Sequence, residues 1–281
     1  MKTNRFQNVV NFLSIVLLGT STLSAQINYN GGTYIQDFNG LPLSNDSTQD
    51  VFELVTGRGP HAFNDLVNLT PTGMDGWYFG NPGGSSSNTE FRAHNGSRAG
   101  NSGRGVISFG TDSDIDRALG ALPTGNQISH FGFLLTNNTG QTLEQMTISF
   151  TGEQWRKGNT VDVNYLNFEW GYGAALDDGI FVTDLDLRFS RVNNLGSEVP
   201  LNGNDPVNQQ FFSKTITGIG WLPGDMLILR WTAVDFAGQD DGLAIDNFSF
   251  SAAIPEPSTS VVLALLIGVC GLTHRNRRRC N

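Results

Sequence analysis

A chain of 281 residues suffices for one all-β domain or two small ones, and 10% aromatic residues with clear alternation exclude a disordered chain. Lys2 and Arg5 near the start and Arg275, Arg277, Arg278 and Arg279 near the end are six of the 17 basic residues; the rest of the chain holds 11 basic against 26 acidic residues, or −15. Such a surface lacks the basic patches that nucleic acid requires, and it suits solubility outside a cell or contact with divalent cations.

In chain order, residues 1–25 read as a secretory signal. Lys2 and Arg5 supply the positive start, Val9 to Gly19 is an apolar run interrupted by Asn11 and Ser14, and small residues follow, with cleavage expected after Ser24 or Ala25. The run is shorter than the ~20 residues of a membrane span. Residues 26–254 contain no cysteine, so this exported region must rely on its core rather than on disulfides.

Within 26–254 the dominant signal is alternation of apolar and polar residues. Strands are expected at Gly31 to Phe38, Gly105 to Phe109, Ile128 to Asn137, Met146 to Thr151, Val161 to Trp170, Leu185 to Phe189, Gln210 to Thr217, Met226 to Asp235 and Leu243 to Ser251. In the sixth, Leu185, Leu187 and Phe189 share the inward face, and Asp184, Asp186 and Arg188 face out. Turn sequences such as Asn138-Thr139-Gly140, Leu222-Pro223-Gly224-Asp225 and Asp240-Asp241-Gly242 separate the strands. This pattern predicts an all-β domain, an antiparallel β-sandwich of jelly-roll type. Residues 57–104 are dense in Gly, Asn and Ser and read as a loop-rich excursion on the same domain, a common place for ligand sites.

Residues 255–281 have three parts: the stiff tripeptide Pro255-Glu256-Pro257, an uncharged and mostly apolar stretch at 258–273, and a cluster holding Arg275, Arg277, Arg278 and Arg279. Sixteen helical residues rise about 24 Å, slightly short of a ~30 Å hydrocarbon core, and flanking arginines can snorkel to make up the difference. The positive-inside rule puts the arginines in the cytoplasm and the acidic domain outside.

These three ordered elements resemble the PEP-CTERM sorting signal of exported proteins in Gram-negative bacteria. The resemblance implies export by secretion machinery, transient membrane anchoring by the 258–273 helix, and recognition by an exosortase-type transpeptidase. It also implies a cell-envelope, cell-surface or extracellular destination and association with extracellular polysaccharide. A recurring ectodomain of such proteins is similar at Asp116-Arg117-Ala118-Leu119-Gly120, Gly152-Glu153-Gln154-Trp155-Arg156, Leu229-Arg230-Trp231 and Gly242-Leu243-Ala244-Ile245-Asp246-Asn247. The terminal Leu-Ala-Ile-Asp strand also resembles the last strand of MAM and concanavalin-like jelly rolls, a likeness of fold only.

Charged residues fall on apolar faces at Glu153, Arg156, Arg230 and Asp246. A buried charge is costly unless paired, so Asp246 or Glu153 is expected to pair with Arg230 or Arg156, with ligand contact and catalysis as alternatives. Asp235, Asp240 and Asp241 share one loop near Asp246 and are a candidate Ca²⁺ site, the alternative being a solvated turn. The run from Asp112 starts like an EF-hand loop, but Arg117 stands where Gly is needed and Pro123 where Glu is needed, leaving a turn. No catalytic residues emerge: the four histidines are scattered, and no nucleophile or metal motif is present. Trp77, Tyr78, Trp170 and Tyr172 lie near Gly-rich turns and are candidates for stacking on sugars, with core filling as the alternative.

The reading that follows is a non-enzymatic, exported and envelope-sorted β-sandwich working in surface or matrix structure. A carbohydrate-binding module, with Ca²⁺ as a cofactor, is the alternative, and a polysaccharide-active enzyme is third. Changing Arg277, Arg278 and Arg279 together to Ser should impair tail processing. Immunoblotting of cell fractions for the tail-bearing precursor checks this, and normal processing and placement of the variant count against the sorting signal.

Overall fold

A computed structural model of the chain describes residues 26–44, 51–194 and 197–254. The signal-like segment 1–25 and the tail, including Pro255, Glu256, Pro257, Arg275, Arg277, Arg278 and Arg279, lie outside the described residues. Among the described residues no helix is long and apolar enough to cross a membrane.

The first strands are β1 (Ile27–Tyr29), β2 (Thr33–Gln36), β3 (Val51–Val55), β4 (His61–Ala62), β5 (Trp77–Gly80), β6 (Thr89–His94), β7 (Gly105–Phe109) and β8 (Ala118–Leu122). Then come β9 (His130–Asn137), β10 (Leu143–Lys157), β11 (Tyr165–Tyr172), β12 (Ile180–Ser190), β13 (Val199–Pro200), β14 (Gln209–Trp221), β15 (Met226–Ala233) and β16 (Gly242–Ala253). They form two sheets. The seven-stranded sheet runs β12-β11-β15-β9-β5-β4 with β1 beside β9; the nine-stranded sheet runs β13-β10-β16-β8-β7-β6-β3 with β14 beside β10 and β2 beside β16. The sequence leads one to expect antiparallel pairing throughout, but β1 runs parallel to β9 and β6 parallel to β7. The 95–104 connection between β6 and β7 carries the chain back before the second strand starts.

The turns behave as their residues dictate. Gly224 takes φ 83°, which only glycine adopts cheaply, and the Asp225 amide donates to the Leu222 carbonyl at 3.1 Å to close the β14–β15 hairpin. Asn137 ends β9 with a full set of bonds. Its amide nitrogen donates to the carbonyls of Gln141 and Trp221, and its oxygen accepts from Thr139.

The core lies between the sheets and is built around Trp231. Its ring is 5.2 Å from Phe168, 6.0 Å from Phe131 and 6.3 Å from Trp77 in its own sheet. Across the sandwich it is 5.5 Å from both Phe150 and Phe248. Phe131 and Trp77 stack on it, and Phe168, Phe150 and Phe248 meet it edge-on, both favoured aromatic geometries.

Residues 57–104, expected to be loop-rich, contribute strands to both sheets: β4 and β5 to one, β6 to the other. Phe63, Trp77, Phe79 and Phe91 from this segment are buried in the main core. Every described residue of β5 and β6 is buried, so neither strand shows the polar-apolar alternation that marks a half-exposed strand. Smaller apolar clusters cover the outer faces, one around Ile107, Phe109, Trp155 and Ala244, the other around Tyr78, Leu134, Leu176 and Ile228.

Candidate functional site

The expected ion pairs form with other partners. Arg230 holds Glu169 at 2.8 Å, on the adjacent strand β11, and its guanidinium lies 3.4 Å from the centre of the Phe181 ring. Arg156 pairs with Glu198 and donates to the Gly96 carbonyl at 2.9 Å. Among the described residues neither Glu153 nor Asp246 faces a cation. Glu153, 1% exposed, accepts hydrogen bonds from the Trp155 indole at 3.0 Å and the Gln209 amide at 3.0 Å. Asp246, 3% exposed, accepts one bond from Asn247 at 2.8 Å, and its Oδ1 has no partner. Arg230 belongs to the seven-stranded sheet and pairs with Glu169 on the neighbouring strand, while Arg156, on the same sheet as the two acids, turns to Glu198.

Burial, with the charge of Asp246, pushes the Glu153 carboxyl up to about 8. Burial likewise pushes Asp246 up to about 7, opposed by the Asn247 bond and aided by the charges of Asp116 and Asp37. The 201–208 connection is packed against Trp155, whose indole bonds Glu153: a Cβ on Gly203 would come within 2.3 Å of the Trp155 ring, so only glycine lets the chain lie this close. A polymer has no route to either carboxyl.

Of the four acids suggested for Ca²⁺, Asp235 and Asp240 lie side by side, but no third acid joins them among the described residues. Asp241 accepts from the Gly158 amide at 2.6 Å and faces Lys157 at 3.7 Å and Arg191 at 3.4 Å. Asp240 accepts from Asn164 at 2.7 Å, and burial raises its pKa. Asp246 lies five extended residues further along, about 16 Å away. Among the described residues no three His, Cys, Asp or Glu side chains are grouped to hold a metal. The Asp112 to Arg117 segment is a turn, closed by the Asp114 amide donating to the Thr111 carbonyl, with Arg117 buried and bonded to Ser108.

Of the candidate aromatics, Trp77 and Tyr78 are buried and belong to the cores. Trp170 and Tyr172 differ. Both are half-buried on one face of β11, at the margin of the main core beside Ile216 of β14. Their rings are 6.2 Å apart at 89°, so together they form a corner rather than a flat platform. Tyr172 donates its hydroxyl to the Ile219 carbonyl at 2.7 Å, tying β11 to β14 across the sandwich. Burial, then the charges of Asp225 and Glu144, raise its pKa to about 12, so the hydroxyl stays a donor. Tyr172 also borders an open depression of about 380 Å³ lined by Gly173, Ala174, Gly224, Asp225 and Met226.

Beside these rings on β12 stand Val182, opposite Trp170, and Ile180, opposite Tyr172; they are 50% and 91% exposed. Asp184 stands opposite Phe168 and is bound by Lys214 of β14 at 2.8 Å, which closes the gap between the edge strands at that level. Past this bridge Trp170, Tyr172, Val182 and Ile180 form one partly exposed wall, and Ile216 follows Lys214 on the inward face of β14; this edge is the mouth of the sandwich.

Sequence alternation misassigned part of this wall. Leu187 and Phe189 are buried as expected, but Leu185 is 64% exposed. The pairing slips between Leu166–Phe189 and Phe168–Asp184, a bulge that reverses which residues face inward. Asp184, Val182 and Ile180 therefore share the face of Trp170.

Indole hydrogen bonding separates Trp170 from three of the other tryptophans. Trp77 donates to Tyr34, Trp155 to Glu153 and Trp221 to the Asp225 carbonyl, while Trp231 is sealed in the core. Trp170 alone combines partial exposure with an indole N–H that has no protein partner among the described residues.

No family model and no curated protein sequence matches the chain. Among solved structures, it is similar to the CBM22-1 xylan-binding domain of Paenibacillus barcinonensis Xyn10C at 10% identity and a TM-score of 0.33, covering 72% of this chain and 99% of that one. It is similar to TmCBM61, solved with β-1,4-galactotriose, at 11% identity and a TM-score of 0.29, covering 55% and 86%. The isomalto-dextranase of Arthrobacter globiformis T6 gives 11% identity and a TM-score of 0.29, covering 81% and 33%. At these values the likenesses carry no argument about a ligand.

The buried acids make stability depend on pH. In the unfolded chain Asp246 and Glu153 release their protons near 3.8 and 4.5, but in the fold they hold them to about 7 and about 8. Their contribution is therefore complete below pH ~4 and is lost as pH rises through 7 to 8. Asp246→Asn should raise unfolding stability at pH 8 by about 1–3 kcal/mol, and by much less at pH 5. Urea unfolding at the two pH values checks this; an equal effect at both would contradict it.

Proposed function

We propose that the chain is an exported, envelope-sorted and non-enzymatic β-sandwich of jelly-roll type that holds extracellular polysaccharide at the mouth formed by β11, β12 and β14. The observation that carries the reading is Trp170: a half-exposed indole with a free N–H, at right angles to Tyr172 and flanked by exposed Val182 and Ile180. One ring offers a face to the apolar side of a sugar, the second closes the corner, and the indole N–H supplies a directed donor to a hydroxyl.

The absence of catalytic chemistry from this reading has its own support. On the wall of the mouth, Asp184 and Asp186 share one cation, Lys214, at 2.8 and 2.7 Å. Of the carboxyls with raised pKa values, Glu153 and Asp246 are buried on the nine-stranded sheet, and Asp240 is buried and bonded to Asn164. Glycoside hydrolysis needs two carboxyl groups facing one another across a substrate. Delivery to the envelope rests on the Pro255-Glu256-Pro257 tail and its arginines, with an exosortase-type transpeptidase as the processing partner.

A glycan array should show binding of soluble oligosaccharides by the wild-type chain. Trp170→Ala should weaken that binding about tenfold or more, as expected for an aromatic anchor, with a thermal midpoint close to wild type. Unchanged binding by the variant, or no glycan bound by wild type, would overturn the reading.

A further inference from the structure

The nine-stranded sheet carries a second surface feature on its outer side; it shares β14 with the mouth, but Ser213 and Thr215 face the opposite way from Lys214 and Ile216. Strands β14, β10, β16 and β2 lie side by side, and their inward residues, among them Met146, Ile148, Phe150, Phe212 and Phe250, fill the core. Their outward residues form rows across the sheet. One row is Thr215, Thr147, Ser251 and Thr33, fixed by the pairings Thr147–Thr215, Thr147–Ser251 and Ser251–Thr33. The next row is Ser213, Ser149, Ser249 and Ile35.

Seven of these eight side chains carry a hydroxyl and none is charged, on a chain with net charge −9. All eight are exposed or half-exposed. The Thr147 and Thr215 hydroxyls bond each other at 2.8 Å, and the others in the two rows have no side-chain partner among the described residues. Neighbouring strands lie about 4.8 Å apart and alternate residues about 6.8 Å apart. The hydroxyls therefore repeat on a two-dimensional grid fixed by the backbone.

The grid narrows the choice of partner. Each hydroxyl both donates and accepts, so the face complements a partner whose groups also do both. The absence of charge removes the attraction a polyanion, a cation-rich protein or a charged lipid surface would need. A second copy fits poorly: the face measures roughly 19 by 14 Å, about a third of the ~800 Å² per partner of a stable interface, and lacks an apolar centre. What remains is a neutral polyol with its own regular spacing. We propose that this face docks flat onto packed chains of a neutral polysaccharide. Each hydroxyl contact is weak, and useful affinity comes from many made at once on a solid that has already lost its chain entropy. A single soluble chain covers one row and binds below detection here. The mouth, by contrast, takes single chains, so the two sites are separable.

The test is co-sedimentation of the full chain with microcrystalline cellulose and with crystalline chitin. Wild type should pellet with at least one solid, and Trp170→Ala should pellet equally. Thr147→Lys combined with Ser249→Lys should lower the bound fraction at least tenfold, because two ammonium groups then stand on the grid and need hydration. Thr215→Lys on the edge strand β14 is a milder second variant, and its loss of binding with an unchanged thermal midpoint excludes misfolding as the cause. The proposal is overturned if wild type stays in the supernatant with both solids, or if the folded lysine variants pellet like wild type. It is also overturned if Trp170→Ala alone abolishes pelleting, or if sedimentation velocity shows wild type dimerising in a manner that Thr215→Lys abolishes. Failure here with oligosaccharide binding intact leaves the mouth reading standing, and the reverse result leaves this one.

Discussion

The structure depends on the aromatic cluster around Trp231. Without cysteine in 26–254, only side-chain burial holds two sheets of this size together. Trp231 is where that burial concentrates, touching rings contributed by β5, β9 and β11 in its own sheet and by β10 and β16 in the other. Strand registers follow from it. A one-residue slip in β15 would move Trp231 outward and Arg230 into the rings, and Arg230 is already held on the outer face by Glu169 and Phe181. The same aromatic layer lies between Arg230 and the acids Glu153 and Asp246, while at the edge of the sandwich Lys214 and Asp184 pair from one sheet to the other.

The mouth is a consequence of where that cluster ends. On β11 the inward residues run Leu166, Phe168, Trp170, Tyr172, and burial declines along that series. Edge strand β12 loses its inward cover at the bulge, and the Lys214–Asp184 bridge marks the last point at which the edges are tied by charge. Beyond it, aromatic and aliphatic groups remain at the surface because no further strand packs over them. A binding surface of this kind needs no special loop; it is core that the fold does not cover.

Much of the architecture was legible in the sequence, and the gaps have physical reasons. Half-exposed strands such as β14 and the second half of β16 declare themselves by period-two alternation. Strands β5, β6 and β8 are buried on both faces, so Trp77-Tyr78-Phe79 and Ala118-Leu119-Gly120-Ala121-Leu122 give no alternation to read. Trp170 and Tyr172 were legible as aromatics near a glycine turn, but their exposure was not, since Trp77 and Tyr78 sit in the same kind of sequence and are buried. The wall formed by Ile180 and Val182 was hidden by the bulge, which shifts the phase of β12 without leaving a Gly or Pro as a signal. The acids were correctly marked as unusual, but their partners depended on which sheet each strand joins, and no local pattern encodes that.

Of the five tryptophans, Trp170 is the one whose indole is partly exposed and without a protein partner among the described residues. Nuclear magnetic resonance of the ¹⁵N-labelled chain resolves each indole N–H, and titration with a neutral oligosaccharide that the chain binds reads all five at once. The account predicts that the Trp170 indole resonance shifts on binding while those of Trp77, Trp155, Trp221 and Trp231, which are sealed or bonded within the protein, stay in place. A fixed Trp170 resonance under saturating oligosaccharide, or a dominant shift at Trp155 above the buried acids, would contradict it.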